Sequence, residues 1–119
     1  DACAFYENQG IYKEFSGVVE EVNEGDEIAK ALGDKKVAIL QNHGILTTGP
    51  SVDIALWFYM SMERCCQAQL MAEAAGEPKI IPHDTAIKTR EFIANDIAAW
   101  ASYQPAFDKI IKMQPDLLD

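Results

Sequence analysis

Two apolar runs separated by a polar interruption make the sharpest pattern in this chain. Val37–Leu40 (VAIL) and residues 45–48 (ILTT) flank Gln41-Asn42-His43-Gly44. Both runs are short and partly β-branched, which suits strands buried on both faces. Asn-His-Gly between them predicts a tight hairpin or bulged corner. Gly44 is expected to supply a backbone conformation that other residues resist, and to let another group approach closely.

A long helical segment follows. Gly49-Pro50-Ser51 punctuates the chain, with Ser51 as the predicted N-cap. The helix is expected over Val52–Ala75, about 36 Å at 1.5 Å per residue. Residues 54–62 are apolar on nearly every side, so this half is expected to be buried on more than one face, or between the sheet and another subunit. Trp57, Phe58 and Tyr59 read as core or interface rather than as a cofactor stack. Gly76 ends the helix, and Pro78 and Pro82 keep the connector extended.

The flanks are less regular. Residues 3–19 alternate unevenly, which predicts one or two short strands, one of them over 10–14, and a loop at Ser16-Gly17. Tyr6 and Tyr12 read as core. Residues 20–27 hold five carboxylates without the ligand spacing of a calcium loop. They read as a solvated turn into a helix opening at Asn23 or Glu24, with Ile28, Ala29, Ala31 and Leu32 on its apolar face and Gly33 at its end. Beyond Pro82, a helix capped by Asp84 carries Ile87, Arg90, Ile93, Ile97 and Trp100 at helical spacing. Tyr103-Gln104-Pro105 is expected to break it, a short helix over 106–113 follows, and Pro115 stops that one.

Composition bounds the chemistry. A chain of 119 residues is one domain at most, and 49% hydrophobic residues are enough for a real core. The net charge of −9 argues against nucleic-acid and anionic-membrane partners. That charge is concentrated at the ends. Residues 1–34 hold nine acids and two bases, whereas residues 35–81 balance at four and four. The long helix is interrupted by Asp53, Glu63, Arg64 and Glu73 and so predicts no membrane span. Cys3, Cys65 and Cys66 form no disulfide framework, which points to a reducing, cytoplasmic setting with the thiols as small apolar groups. The start, Asp1-Ala2-Cys3, shows neither an initiator Met nor a signal-peptide pattern, and the chain is expected to be a piece of a longer one.

His43 is the candidate metal ligand. A histidine on a strand end can be fixed for coordination, and zinc favours imidazole nitrogen. On spacing alone, a hydrogen-bonded structural histidine is the competing reading. His83 reads as a loop or near-cap residue. Phosphate-cradling glycine loops and a nucleophile elbow are absent, and nothing in the spacing makes a thiol catalyst of Cys65 or Cys66 with His43.

Leu40-Gln41-Asn42-His43-Gly44-Ile45-Leu46, then Gly49, Ser51-Val52-Asp53, Ala55 and a helix running through Gln67-Ala68-Gln69-Leu70 to Ala75-Gly76, resembles the class II aldolase/adducin family. The resemblance covers about Cys3 to Gly76. It implies an α/β fold with a mainly antiparallel sheet flanked by helices, a three-layer α/β/α arrangement of which residues 1–119 are a partial domain. It implies that His43 is one zinc ligand, with two more from a His-x-His strand and a catalytic carboxylate upstream; this chain has no His-x-His. Asn42 or Gln41 would orient His43. In such a site the metal stabilises an enediolate while a C–C bond of a small sugar or sugar phosphate breaks or forms, a lyase chemistry. Homo-oligomers, tetramers in catalytic members, are also implied. The alternative within the family is a non-catalytic, self-associating module like that of adducin, cytoskeletal or regulatory.

Overall fold

Alternation along three short strands decides which side chain meets which helix. The structure, a computed structural model, describes residues 1–14 and 22–118. Within them, β1 (Gln9–Tyr12), β2 (Val37–Leu40) and β3 (Gly44–Thr47) form one sheet in the order β1-β2-β3. β2 and β3 make the expected antiparallel hairpin, Val37 opposite Thr47 and Leu40 opposite Gly44. β1 runs parallel to β2, Gly10 opposite Ala38. A parallel neighbour needs a crossover, and α1 (Val22–Leu32) lies between the two strands in sequence. The class is α/β, as expected, and the described sheet is mixed.

Period two puts Gly10, Tyr12, Ala38, Leu40 and Leu46 on one face, and Val37, Ile39, Ile45 and Thr47 on the other. α1 covers the first face. A side chain at Gly10 has no room there: a Cβ would lie 1.9 Å from the Ala31 carbonyl oxygen. The Tyr12 hydroxyl, on the same face, donates to Glu24 Oε1 of α1 at 3.4 Å. Burial, followed by the Glu24 carboxylate, raises the Tyr12 phenol above its ordinary pKa. α1 ends as the sequence predicts, with Gly33 at φ +56° and its N–H on the Ala29 carbonyl.

α2 (Val52–Ala75) covers the second face. Ser51 caps it by accepting the Ile54 N–H, and Thr47 Oγ1 donates to the Ala55 carbonyl at 2.9 Å, tying β3 to its first turn. Ile54, Phe58 and Met62, spaced by four, bury with Val37. Phe5 meets the Phe58 ring edge-on at 6.2 Å. Phe5 does not belong to a strand: residues Ala2–Phe5 form a 3₁₀ turn. Asn8 explains the departure, because its side chain donates to the Ala4 carbonyl and accepts the Lys36 N–H, holding a turn where alternation suggested extension. The loop expected at Ser16-Gly17 and the acids Glu20 and Glu21 lie outside the described residues.

α3 (His83–Ile93) and α4 (Asp96–Met113) depart from expectation at their junction. The chain breaks at Ala94-Asn95, where the Asn95 side chain accepts the Ala98 N–H at 2.9 Å. Pro105, expected to divide two helices, sits inside α4. It removes one helical N–H, but packing holds the helix on either side of the gap. Ala99 is fully buried in the common core, and Gln104 Nε2 donates to Asp53 Oδ2 on α2. α3 starts after Pro82, so Asp84 lies in its first turn instead of capping it. Residues 54–62 are thus covered by the sheet on one side and α4 on another. Among the described residues no helix is long and apolar enough to cross a membrane.

Gly10→Ala places a methyl against backbone that cannot rotate away, and is expected to cost about 3 kcal/mol or more. Gly44→Ala meets nothing within 4 Å and should stay within about 0.5 kcal/mol of the parent. Urea unfolding of the two variants side by side measures the difference.

Candidate metal centre at the hairpin turn

The turn that carries His43 is built by backbone hydrogen bonds at its base. The His43 N–H donates to the Leu40 carbonyl at 3.0 Å, closing a four-residue turn over 40–43. The Gln41 N–H donates to the Tyr12 carbonyl at 2.9 Å, so the end of β1 holds the turn as well. Two strands therefore fix the position of the His43 backbone.

The residue in the left-handed conformation is Asn42, with φ +61°. Gly44, expected to take that role, has no positive φ and opens β3 with free space where a side chain would be. Asparagine accepts this region at lower cost than most residues, because its short side chain can bond locally. Within the described residues, the space beside Gly44 is open. What the turn does provide is exposure, with all of Gln41, Asn42, His43 and Gly44 open to solvent.

The other candidates lie in other settings. His83 opens α3, and its Nδ1 bonds the Tyr6 hydroxyl at 2.9 Å while the two rings meet edge-on. Glu7, at φ +52°, brings a carboxylate oxygen to 3.9 Å from the same nitrogen. Arg90 of α3 donates to the Tyr6 carbonyl. Tyr6, Glu7, His83 and Arg90 thus form a polar clasp between the first turn of the chain and α3. Sequence reading missed this clasp, and a pair 77 positions apart leaves no local signal. Tyr6 is half-buried with its hydroxyl engaged, rather than simple core. Cys65 and Cys66 are free and half-buried along a groove with Phe5, Ile39 and Met62. Burial pushes the Cys65 thiol up, away from the thiolate that catalysis or coordination needs.

As donor chemistry, an exposed imidazole on a fixed turn fits a metal ligand. Among the described residues, however, no group of three or more His, Cys, Asp or Glu side chains converges to hold an ion. His43 fits a metal as one donor of a set, with the remaining donors not grouped around it here.

The model of the class II aldolase and adducin N-terminal domain matches residues 1–70. The chain belongs to that family. It is 38% identical over 117 residues to the decarboxylase NovR of Streptomyces niveus, an alignment covering 98% of this chain and 43% of that protein. It is 36% identical, over 98% of its length and 42% of the relative's, to a 4-hydroxy-3-prenylphenylpyruvate oxygenase/4-hydroxy-3-prenylbenzoate synthase of Streptomyces roseochromogenus. Among solved structures, the L-fuculose 1-phosphate aldolase of Glaciozyma antarctica superposes with a TM-score of 0.85 at 34% identity, covering 97% of this chain and 43% of that one. The chain therefore spans less than half the length of the relatives it matches.

The turn geometry makes a specific demand at position 42. Asn42→Val, β-branched and forced to φ +61°, is expected to lose about 1–2 kcal/mol. Asn42→Gly should remain within about 0.5 kcal/mol, relief of the backbone offsetting its extra freedom when unfolded. Equal losses in thermal unfolding would count against a strained turn.

Proposed function

We propose that this chain is part of a zinc-dependent lyase of the class II aldolase type, acting on small sugars or sugar phosphates by breaking or forming a C–C bond beside a carbonyl. The observation that carries the reading is His43, exposed on a turn that two strands hold in place. The names of similar proteins support the reaction class, since an aldolase and a decarboxylase both act on C–C bonds.

In this reading His43 gives one imidazole nitrogen to the metal, and the other ligands and the catalytic carboxylate come from outside these residues. Bound zinc supplies Lewis acidity toward the substrate's carbonyl and hydroxyl oxygens. The chain's own contribution is positional. The Leu40–His43 and Tyr12–Gln41 backbone bonds fix the Cα of the ligand, and the side chain of Asn42 or Gln41 sets the tilt of the ring. An imidazole must be neutral to coordinate, so metal retention falls as the solution is acidified. Three free thiols support a reducing, cytoplasmic setting.

One feature of α2 is compatible with a second reading as well. Val52, Leu56 and Tyr59 are all exposed and lie at i, i+4 and i+7, an apolar stripe suited to self-association. Such a stripe serves a tetrameric enzyme or an adducin-like, non-catalytic module equally, and metal content separates the two.

His43→Ala, introduced in the complete protein, is expected to remove zinc and reduce aldol cleavage by more than about a hundredfold together, since even partners of metal ligands cost 10–100-fold. Elemental analysis showing one zinc per chain in the variant would reject the ligand assignment. A folded parent protein that holds no metal at all would favour the adducin-like module.

A further inference from the structure

The turn that carries His43 rests on the last residue of β1. Tyr12 stands opposite Leu40 in the parallel register, and its carbonyl accepts the Gln41 N–H at 2.9 Å. The His43 to Leu40 bond closes within the hairpin, whereas this one reaches outside it. Beyond Tyr12 the ladder with β2 stops, and Lys13 and Glu14 belong to no strand. A strand end frays easily unless something besides the ladder holds it.

The side chain of Tyr12 supplies that hold. It is half-buried on the face that α1 covers, and its hydroxyl donates to Glu24 Oε1 at 3.4 Å. Burial and the Glu24 carboxylate both raise the phenol's pKa, which keeps the proton on the oxygen that must donate it. α1 is itself seated tightly on β1, since the Ala31 carbonyl takes up the space where a Gly10 Cβ would be. A continuous path therefore runs from α1 through the Tyr12 phenol to the Tyr12 carbonyl. From there it passes to Gln41, two residues before His43.

We propose that Tyr12 is a positioning residue for the metal ligand, holding the His43 turn to α1 through its bond with Glu24. The proposal rests on the reading of His43 as a zinc ligand. Its action on the metal passes through the Gln41 backbone, which fixes where the imidazole starts. A donor already held in place loses less freedom on coordination. The bond to Glu24 is long, so its loss has a modest effect, about threefold, at the low end for one net hydrogen bond.

The test compares Tyr12→Phe, Glu24→Ala and Glu24→Gln in the complete protein. Hydrogen exchange is followed in a peptide spanning residues 39–45 and in one from 56–66 of α2, and zinc affinity is measured by competition with a chelator. Tyr12→Phe and Glu24→Ala should each speed exchange at the turn and weaken zinc about threefold, leaving the α2 peptide unchanged. Glu24→Gln keeps an acceptor oxygen and should lie nearer the parent than Glu24→Ala on both readings. Exchange that rises in both peptides together marks a tyrosine that stabilises the whole fold, and overturns the proposal. Turn exchange in Tyr12→Phe that matches the parent overturns it as well, as does a loosened turn with zinc affinity unchanged. A parent protein that holds no zinc rejects the ligand reading instead, and exchange at the turn then decides alone whether Tyr12 holds it.

Discussion

The burial of Phe58 is the contact on which the other elements converge. Its ring is fully buried in one cluster with Val37 of β2, Phe5 of the first turn and Ala99 of α4. Three segments distant in sequence are therefore positioned by one side chain of α2. Lys36 adds a polar lid: its ammonium lies 5.6 Å from the Phe58 ring centre and pairs with Asp96 at 3.2 Å. That pair is partly exposed and worth little by itself. Its geometric effect is larger, since it joins the start of β2 to the start of α4 over the same ring. Truncating Phe58 would loosen β2, the first turn and α4 from α2 at once, not merely leave a hole.

The parts of the fold that were legible in the sequence are those where local pattern and tertiary demand agree. β2, the turn, β3 and α2 fall close to where alternation, Ser51 and Gly76 place them, because these residues satisfy their backbone and bury their apolar faces with one choice of structure. The misreadings have a common origin. Pro105 predicts a break on local grounds, yet Ala99 and Gln104 bind α4 to α2 on the N-terminal side of the proline, and packing outweighs one lost hydrogen bond. Asn95, without a proline's conspicuousness, stops α3 by competing for the N–H of Ala98. Asn8 does the same for the first turn. In each case a short polar side chain bonding to nearby backbone decided the boundary.

The candidate ligand was legible as a candidate, and the mechanics of its turn were not. His43 could be named from its neighbours, but the bearing of the turn could not. Glycine is the default expectation for a left-handed residue, and Asn-His-Gly offers two residues able to take it. The Leu40–His43 hydrogen bond selects Asn42, the third residue of the turn, and so releases Gly44 to pair with Leu40 in the sheet. The clasp of Tyr6, Glu7, His83 and Arg90 depends on contacts between segments far apart in the chain. No periodicity in the chain encodes them.

The division of labour at the turn bears on how a ligand can be rigid and still accessible. Rigidity comes from the backbone: β1 supplies a carbonyl to Gln41, β2 supplies one to His43, and β3 begins at once on the far side. Accessibility comes from the exposure of residues 41–44, with Gly44 adding no side chain. A histidine packed into the core would be oriented by its neighbours but closed to a metal and substrate. One on a longer loop would be open but would lose entropy on each coordination event. Placing the imidazole at the tip of a two-strand support, itself clamped by a third strand, separates the two requirements. In the proposed metal site, that arrangement would let the other donors be supplied separately without rebuilding the turn.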